Sequence, residues 1–430
     1  MKVLINLLIS AAIFILLSNA ARAEDKSILN KLDLHGFLDL RAGYRTQNDP
    51  YEKDLTLGET RLQLDYEKIW EYAAFQFRSD FLYDAVPEDH TIDIEDGTGP
   101  VDLREMNLQI YAFESADIKI GRQILTWGTG DLIFINDLFP KDWKSFFIGR
   151  AEEYLKAPSD AIFVSVFPSF CTIDLAYMPR FDSDRYISGE RISYWNPLLE
   201  ELAGRNAIIS ADKPDDWFND YELSLRISKN ISGYEYALYG YRGFWKSPRG
   251  IDDTTMNYIF PELNVYGASL RGPIGQGIIS IESGYLHSRN DGSGEDPFIP
   301  NSEIRFLFGY ERELIKDLSA GIQYYLEYMD KYDNYKSTLP EIMIPSDKAR
   351  QVLTLRLTKH ALNQNLRLSL FMYYSPTDHD VYFRPIVKYK ASDNWLLTTG
   401  ANIFAGDEPY TFFGQFKKDT NVYAGIRYSF

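Results

Sequence analysis

Leu366-Arg-Leu-Ser-Leu-Phe-Met-Tyr373 largely alternates apolar and polar side chains. A period of two gives an extended strand one apolar and one polar face. Glu59–Tyr66, Tyr221–Ser228 and Val422–Phe430 repeat the pattern. With this template strands fall at 34–45, 57–67, 71–83, 102–113, 115–127, 159–168, 170–180, 219–229 and 233–246. The series continues at 261–272, 276–288, 302–312, 317–330, 348–359, 364–375, 379–390, 394–404 and 420–430. That makes 18 segments of 10–14 residues, each long enough to cross a bilayer when tilted. Sixteen is the alternative count, with 159–180 as the pair in question.

The connections sort by length. Lys68–Trp70, Glu114, Ser169, Asn230–Ser232, Pro273–Gly275, Glu313–Lys316, the turn at Asn363 and Ala391–Asp393 are short. The alternate ones run from three residues (Pro376–Asp378) to 38 (Phe181–Phe218). A soluble sandwich has no reason to gather its tight turns at one end, whereas an outer-membrane barrel has short periplasmic turns and long outer loops. The expected fold is therefore all-β, a transmembrane antiparallel up-and-down barrel. Helix is expected only as short turns at 151–155 and 197–203.

Aromatic residues make up 15% of the chain. Tyr66, Trp70, Tyr72, Tyr111, Phe167, Phe170 and Tyr389 fall near the short turns, and Tyr44, Phe81, Tyr83, Trp127, Trp245, Tyr285, Tyr328 and Phe404 near the long loops. Rings with a polar edge suit the headgroup level, so two girdles are expected.

Residues 1–23 read as a secretory signal, with Lys2, an apolar run from Val3 to Leu17, and Ala21-Arg22-Ala23 before Glu24. Residues 24–430 then form the barrel, with no plug domain before the first strand. No later stretch has 18 uninterrupted apolar residues, so no membrane-spanning helix is expected. The formal charge of −17 argues against nucleic acid. The single Cys171 excludes an intramolecular disulfide, a four-thiolate zinc site and C-x-x-C-H haem attachment. Without Lys2 and Arg22 the charge is −19, and the nine outer loops also sum to −19. An acidic fringe on a neutral wall follows, suited to sharing divalent cations with lipopolysaccharide.

The terminal run with Tyr423, Gly425, Tyr428 and Phe430 resembles the end signal of Gram-negative outer-membrane barrels. The resemblance implies handling by the barrel assembly machinery. Gly121-Arg-Gln-Ile-Leu-Thr-Trp127-Gly128, running into Asn136-Asp-Leu-Phe-Pro-Lys-Asp142, is similar to a block of porin-like outer-membrane proteins related to alginate-export-type channels. That family usually has Asn before the Pro, where this chain has Phe139. The resemblance implies a barrel of porin size and carries no substrate.

If the apolar row faces lipid, the polar row faces the lumen. It carries Arg61, Arg226, Arg305, Arg356, Arg367 and Arg427, joined by Arg78 and Arg271, against Asp65, Glu222 and Glu311. Two readings stand side by side: an interior favouring anions, or a wall of ion pairs without preference. Arg122 falls on the lipid row, which a bulge or a place above the membrane would resolve. Segment 128–158 holds Leu132, Ile133, Phe134, Ile135, Trp143, Phe146 and Phe147 among its charges, too apolar to wave in water. It is expected to fold into the mouth or lumen and narrow the pore, with Asp131, Asn136, Asp137, Lys141 and Asp142 at the constriction. A partner-binding or subunit-contact loop is the alternative.

Asp89, Asp93, Glu95 and Asp96 read as a calcium loop or as solvated acids, and EF-hand spacing is missing. Five scattered His residues give no metal pair, and no G-x-S-x-G elbow occurs. Pro385 inside a strand suggests a bulge. The chain reads as a passive channel for small hydrophilic solutes, favouring anions on the first reading of the Arg row. No cofactor, metal or catalytic residue is assigned. Its expected partners are outer-membrane lipids and lipopolysaccharide, with oligomeric state open. A receptor barrel with acidic partner-binding loops and a rim hydrolase are the rivals.

Overall fold

The alternation closes into a cylinder. The computed structural model describes residues 34–430 apart from Asp89 and Ile342; the expected signal segment 1–23 lies outside the described residues. The wall strands are β1 (Leu34–Arg45), β2 (Leu55–Ile69), β3 (Ala73–Asp84), β4 (Val101–Phe113), β5 (Ala116–Gln123), β6 (Ser159–Val166), β7 (Thr172–Met178), β8 (Glu222–Ile231) and β9 (Tyr234–Phe244). They continue as β10 (Glu262–Ile274), β11 (Gly277–Ser288), β12 (Glu303–Ile315), β13 (Leu318–Met329), β14 (Ala349–Ala361), β15 (Leu366–Ser375), β16 (Asp380–Lys390), β17 (Trp395–Gly406) and β18 (Asn421–Ser429). Each pairs antiparallel with its sequence neighbours, and β1 meets β18 from Phe37↔Ser429 to Arg45↔Asn421, so the 18-stranded sheet has no edge. Both strands in the 159–180 region are present, which decides the count.

The period-two reading is visible in β12. Ile304, Phe306 and Phe308 are exposed, while Glu303, Leu307 and Gly309 of the alternate row are buried. The wall is uneven in height. β10, β12 and β14 have 13 residues, whereas β5 and β6 have 8 and β7 has 7. At about 3.3 Å per residue and about 40° tilt, these reach about 33 Å and about 20 Å respectively.

Arg122 sits at the outer end of the low wall. Its partners in register are Met106 and Asp160, so it stays on the outward row, and no bulge reverses it. It is buried by an ion pair to Asp160 at 3.0 Å and hydrogen bonds to the carbonyl oxygens of Leu103 and Ile94. Pro385 also behaves differently from the expectation. Pairing with β17 is interrupted between Phe383↔Ile403 and Ile386↔Gly400, yet the register is unchanged, so the ladder has a gap rather than a bulge.

The outer connections are folded. Residues 197–203 do not make a helical turn; Glu201–Ala203 pairs with Tyr194–Asn196 as a hairpin. Glu152–Leu155 is the expected turn of 3-10 helix. Two helices were not signalled by periodicity: α1 (Trp143–Ile148) and α2 (Tyr332–Thr338). With six and seven residues, they are too short for a pattern of 3.6 to show. Asp142 caps α1 by accepting from the Ser145 amide at 2.7 Å. Gly149 ends it at φ 92°, where an added Cβ would strike the Tyr423 ring.

Tyr44, Phe81, Tyr83, Trp70, Tyr72, Phe167 and Phe170 stand exposed at the two strand ends, as girdles require. Trp245 and Phe404 instead are buried, and Trp127 packs edge-on against Phe139 at 5.0 Å, because the outer connections supply an inner apolar surface for them. The acidic fringe is likewise partly folded in: Asp49, Glu52, Asp142, Asp182, Asp184, Asp291 and Asp419 are all buried.

Candidate functional site

Segment 128–158 and the wall around it gather most of the expected site residues. Of its apolar side chains, Ile135, Phe139, Phe146, Phe147 and Ile148 are buried, and Leu132, Ile133, Phe134 and Trp143 are half-buried against that cluster. Phe146 and Phe147 pack on Tyr382 of β16, and Phe147 also on Phe404 and Phe416. Burying one such side chain contributes about 1.5–3 kcal/mol, so this cluster holds the segment strongly.

Polar anchors set its position. The buried Glu282 carboxylate of β11 accepts from the Thr129 amide (2.7 Å), the Gly130 amide (3.2 Å), the Asn136 amide (2.9 Å) and the Asn136 side chain (3.0 Å). Gly267 and Gly284, paired across β10 and β11, leave the space Asn136 and Ile135 occupy; a Cβ on Gly267 would fall 1.7 Å from Asn136 Oδ1. On β2, Glu59 accepts from Arg150 Nε at 2.6 Å. Arg61 lies over the Tyr154 ring at 4.2 Å. The same segment is thus bonded to β2 and to β11, which stand on opposite sides of the 18-strand cylinder.

A third side is met at β14–β18. Arg356 pairs with Asp131 and lies 3.5 Å from Glu152. Arg384 is 3.6 Å from Glu152, Arg427 is 2.9 Å from Glu153, and Tyr373 donates to the Leu132 carbonyl at 2.5 Å. Burial alone pushes the Glu152 carboxyl up, but Arg384 and Arg356 outweigh it and hold the group below the usual carboxylate range.

The expected constriction residues divide. Asp131 and Asn136 bond to the wall. Asp137, Lys141 and Asp142 turn toward their own surroundings: Asp137 accepts from Thr126 Oγ1 (2.7 Å) and Lys141 Nζ (3.0 Å), and Asp142 holds α1 while facing Arg150 and Arg185 at 3.6 Å. Of the expected lumen row, Arg61 pairs with Asp80 and Glu59, Arg78 with Asp65 and Glu105, Arg226 with Asp174 and Glu235, and Arg305 with Glu303. Arg427 adds Asp39 at 2.8 Å. Arg271 and Arg367 have no ion pair among the described residues. Sequence reasoning missed Arg384 and Lys388, which share a face of β16; Lys388 is the register partner of Arg367 and also lacks an ion pair among the described residues. The interruption at Pro385 hid their alternation.

Glu95 of the acidic loop pairs with Arg180 and lies 3.3 Å from Lys213. Asp93 accepts from the Glu95 and Asp96 amides; Asp89 is outside the described residues. Among the described residues no group of three His, Cys, Asp or Glu side chains is placed to hold a metal ion. Of the terminal run, Tyr423 is buried against Gly149, and Gly425 faces Arg41. Tyr428 packs at a tilt against Trp395 at 4.9 Å, and Phe430 exchanges backbone hydrogen bonds with Gly36.

Outside the segment, a cavity of about 1090 Å³ lies among the outer connections. Phe134 and Trp143 of the segment, Trp195, Phe298 and Phe412 of the outer connections, and Arg305 and Arg350 of the wall line it.

No protein-family model and no curated protein sequence matches the chain. The fold is similar to OccAB3 of Acinetobacter baumannii, with 13% identity and a TM-score of 0.54 over 93% of this chain and 99% of that one. It is also similar to OccK11 (OpdR) of Pseudomonas aeruginosa, with 10% identity and a TM-score of 0.50 over 92% and 96%. Both likenesses, at 10% and 13% identity, show a shared fold, the closed antiparallel barrel. No link to alginate export emerges from them.

Proposed function

We propose that the barrel is a passive channel for small hydrophilic solutes and that segment 128–158 lies across its bore and narrows it. The observation that carries this reading is the anchoring of one segment to both β2 and β11. Chain bonded to opposite walls occupies space that solutes would otherwise use. An 18-strand wall is wide enough to leave an aqueous path beside it.

An anion preference is part of the proposal. Its support is the pair Arg367 and Lys388, facing each other across β15 and β16 without a carboxylate at ion-pair distance among the described residues. Most of the other lumen arginines are neutralised in place, so selectivity rests on a few side chains rather than on the whole row. The transported molecules pass by diffusion, and no chemical step is assigned to the wall.

The test is single-channel conductance in planar bilayers after deletion of residues 131–148. A larger unitary conductance is expected, and an unchanged one overturns the narrowing. A wild-type barrel that inserts and carries no current overturns the channel itself and favours capture of a ligand in the outer cavity.

A further inference from the structure

On most strands the outward face of the upper rim is apolar or aromatic. Tyr44 of β1, Tyr328 of β13, Tyr374 of β15, Ile403 of β17 and Val422 of β18 are exposed there. Charge on the outward strand face near this rim occurs at two places among the described residues. One is Arg122, neutralised by Asp160 and covered by backbone oxygens. The other differs in every respect.

Arg242 of β9, Asn264 of β10 and His287 of β11 stand at matched register, Arg242↔Asn264 and Asn264↔His287, on the same outward face. Arg242 is exposed and has no ion pair among the described residues. One step higher, the Glu262 carboxylate is already engaged by Arg289 at 3.0 Å, so that pair adds no net charge. The His287 ring stacks on Tyr285 at 6.1 Å, with Nδ1 3.3 Å from Ser302 Oγ. Directly below the row come the exposed girdle rings Tyr266 and Tyr285 and the exposed Leu238. Gly240 lies between them, where an added Cβ would meet only Leu225, at 4.0 Å.

An Arg on the lipid face costs about 2–4 kcal/mol at the bilayer midplane and about 0–1 near the interface. Its guanidinium presents a planar fork of donors that matches two phosphate oxygens. An unpaired outward Arg just above a girdle therefore sits where anionic headgroups are, and the trough at Gly240 gives an acyl chain an apolar path beneath it.

We propose that Arg242, Asn264 and His287 form a seat for the phosphate of an outer-leaflet lipid. The proposal rests on the outer-membrane location and is independent of whether the bore conducts. Native mass spectrometry of the full barrel in non-ionic detergent, titrated with bisphosphorylated lipid A, tests it. Adducts should weaken about tenfold in Arg242→Gln, the size expected for losing one good charge-assisted contact. They should be unchanged in Arg312→Gln, which alters an arginine of β12 paired with Gly277 and Ala320 at the short-turn end of the wall. Fully dephosphorylated lipid A should bind the wild type as weakly as the phosphorylated form binds Arg242→Gln. Equal binding by wild type and Arg242→Gln overturns the seat. Displacement of the lipid by millimolar inorganic phosphate overturns the lipid as its occupant and assigns a free anion. Heat-modifiable electrophoretic mobility checks folding; if Arg242→Gln does not fold, Asn264→Leu carries the same comparison.

Discussion

The two sides of the bore are built from opposite charge. On β2–β4 the inward row carries Glu59, Asp65, Asp80, Asp102 and Glu105 around Arg61, Arg78 and Arg104, and pairs form within the wall. On β14–β18 the row carries Arg356, Arg367, Arg384, Lys388 and Arg427, and the acids that meet it come largely from segment 128–158: Asp131, Glu152 and Glu153. The segment presents its cation to the other side, with Arg150 on Glu59. A chain whose ends of charge match opposite walls has one favoured orientation, because turning it around would set like charges together at short range. The β2–β4 row pairs mostly within the wall, whereas on β14–β18 Arg356 and Arg384 are met by acids of the segment, and Arg367 and Lys388 by none at ion-pair distance among the described residues.

That difference gives opposite mutational signatures. Arg61→Ala removes the partner of two buried carboxylates and should cost about 3–5 kcal/mol, read as a lower temperature for loss of the folded electrophoretic band. Its anion-to-cation permeability ratio should stay close to the wild-type value. A large change in selectivity with little loss of stability would show that the β2–β4 pairs lie open to the path of ions instead of holding the wall.

The paired change Glu152→Gln with Glu153→Gln acts on the other wall. It removes the one ion-pair partner of Arg384 among the described residues and one of two partners of Arg356 and of Arg427, without removing bulk, so reversal potentials in a salt gradient should move toward anions by about threefold in permeability ratio. A smaller shift of the opposite sign, about twofold, is expected for Arg367→Ala with Lys388→Ala, with stability nearly unchanged because no ion pair is lost. If both double variants leave the reversal potential in place, the basic wall does not face the path of ions.

The wall was legible in the sequence because period two and the sorting of turn lengths are local signals that survive in every strand. Segment 128–158 was legible only as an anomaly: Phe146 and Phe147 announce burial, but nothing local says against what. The partners are distant in sequence, such as Glu282 for Asn136 and Glu59 for Arg150. One signal was present and unused. Gly267 and Gly284 interrupt the inward rows of adjacent strands, and two side-chain-free positions facing the bore mark where another part of the chain approaches. Asp137, Lys141 and Asp142 look alike in sequence to Asp131, yet only burial distinguishes a group that shapes the segment from one that meets the wall. Arg384 and Lys388 flank the Pro385 interruption, and a strand judged irregular conceals its inward row.

The outer connections add a weaker, pH-dependent contrast at the seam between the two sides. Glu52, between β1 and β2, is buried, and burial raises its carboxyl to about 7, although Arg205 at 3.2 Å and Arg45 oppose the shift. One of its oxygens, Oε1, has no hydrogen-bond partner among the described residues, so nothing there favours the charged form. A raised carboxyl makes the packed arrangement hold its proton longer than the opened one. The contribution is therefore lost as pH rises from the ordinary carboxylate range through about 7, and the loss is complete above it. Amide hydrogen exchange at 46–54 and 201–206, corrected for the intrinsic rate, should be several-fold faster at pH 8 than at pH 5.5. Glu52→Gln, which cannot ionise, should abolish that difference while leaving exchange in β14–β18 untouched. A pH dependence that persists in Glu52→Gln would move its source elsewhere in the seam, with the buried Asp419 on Arg45 as the next group to change.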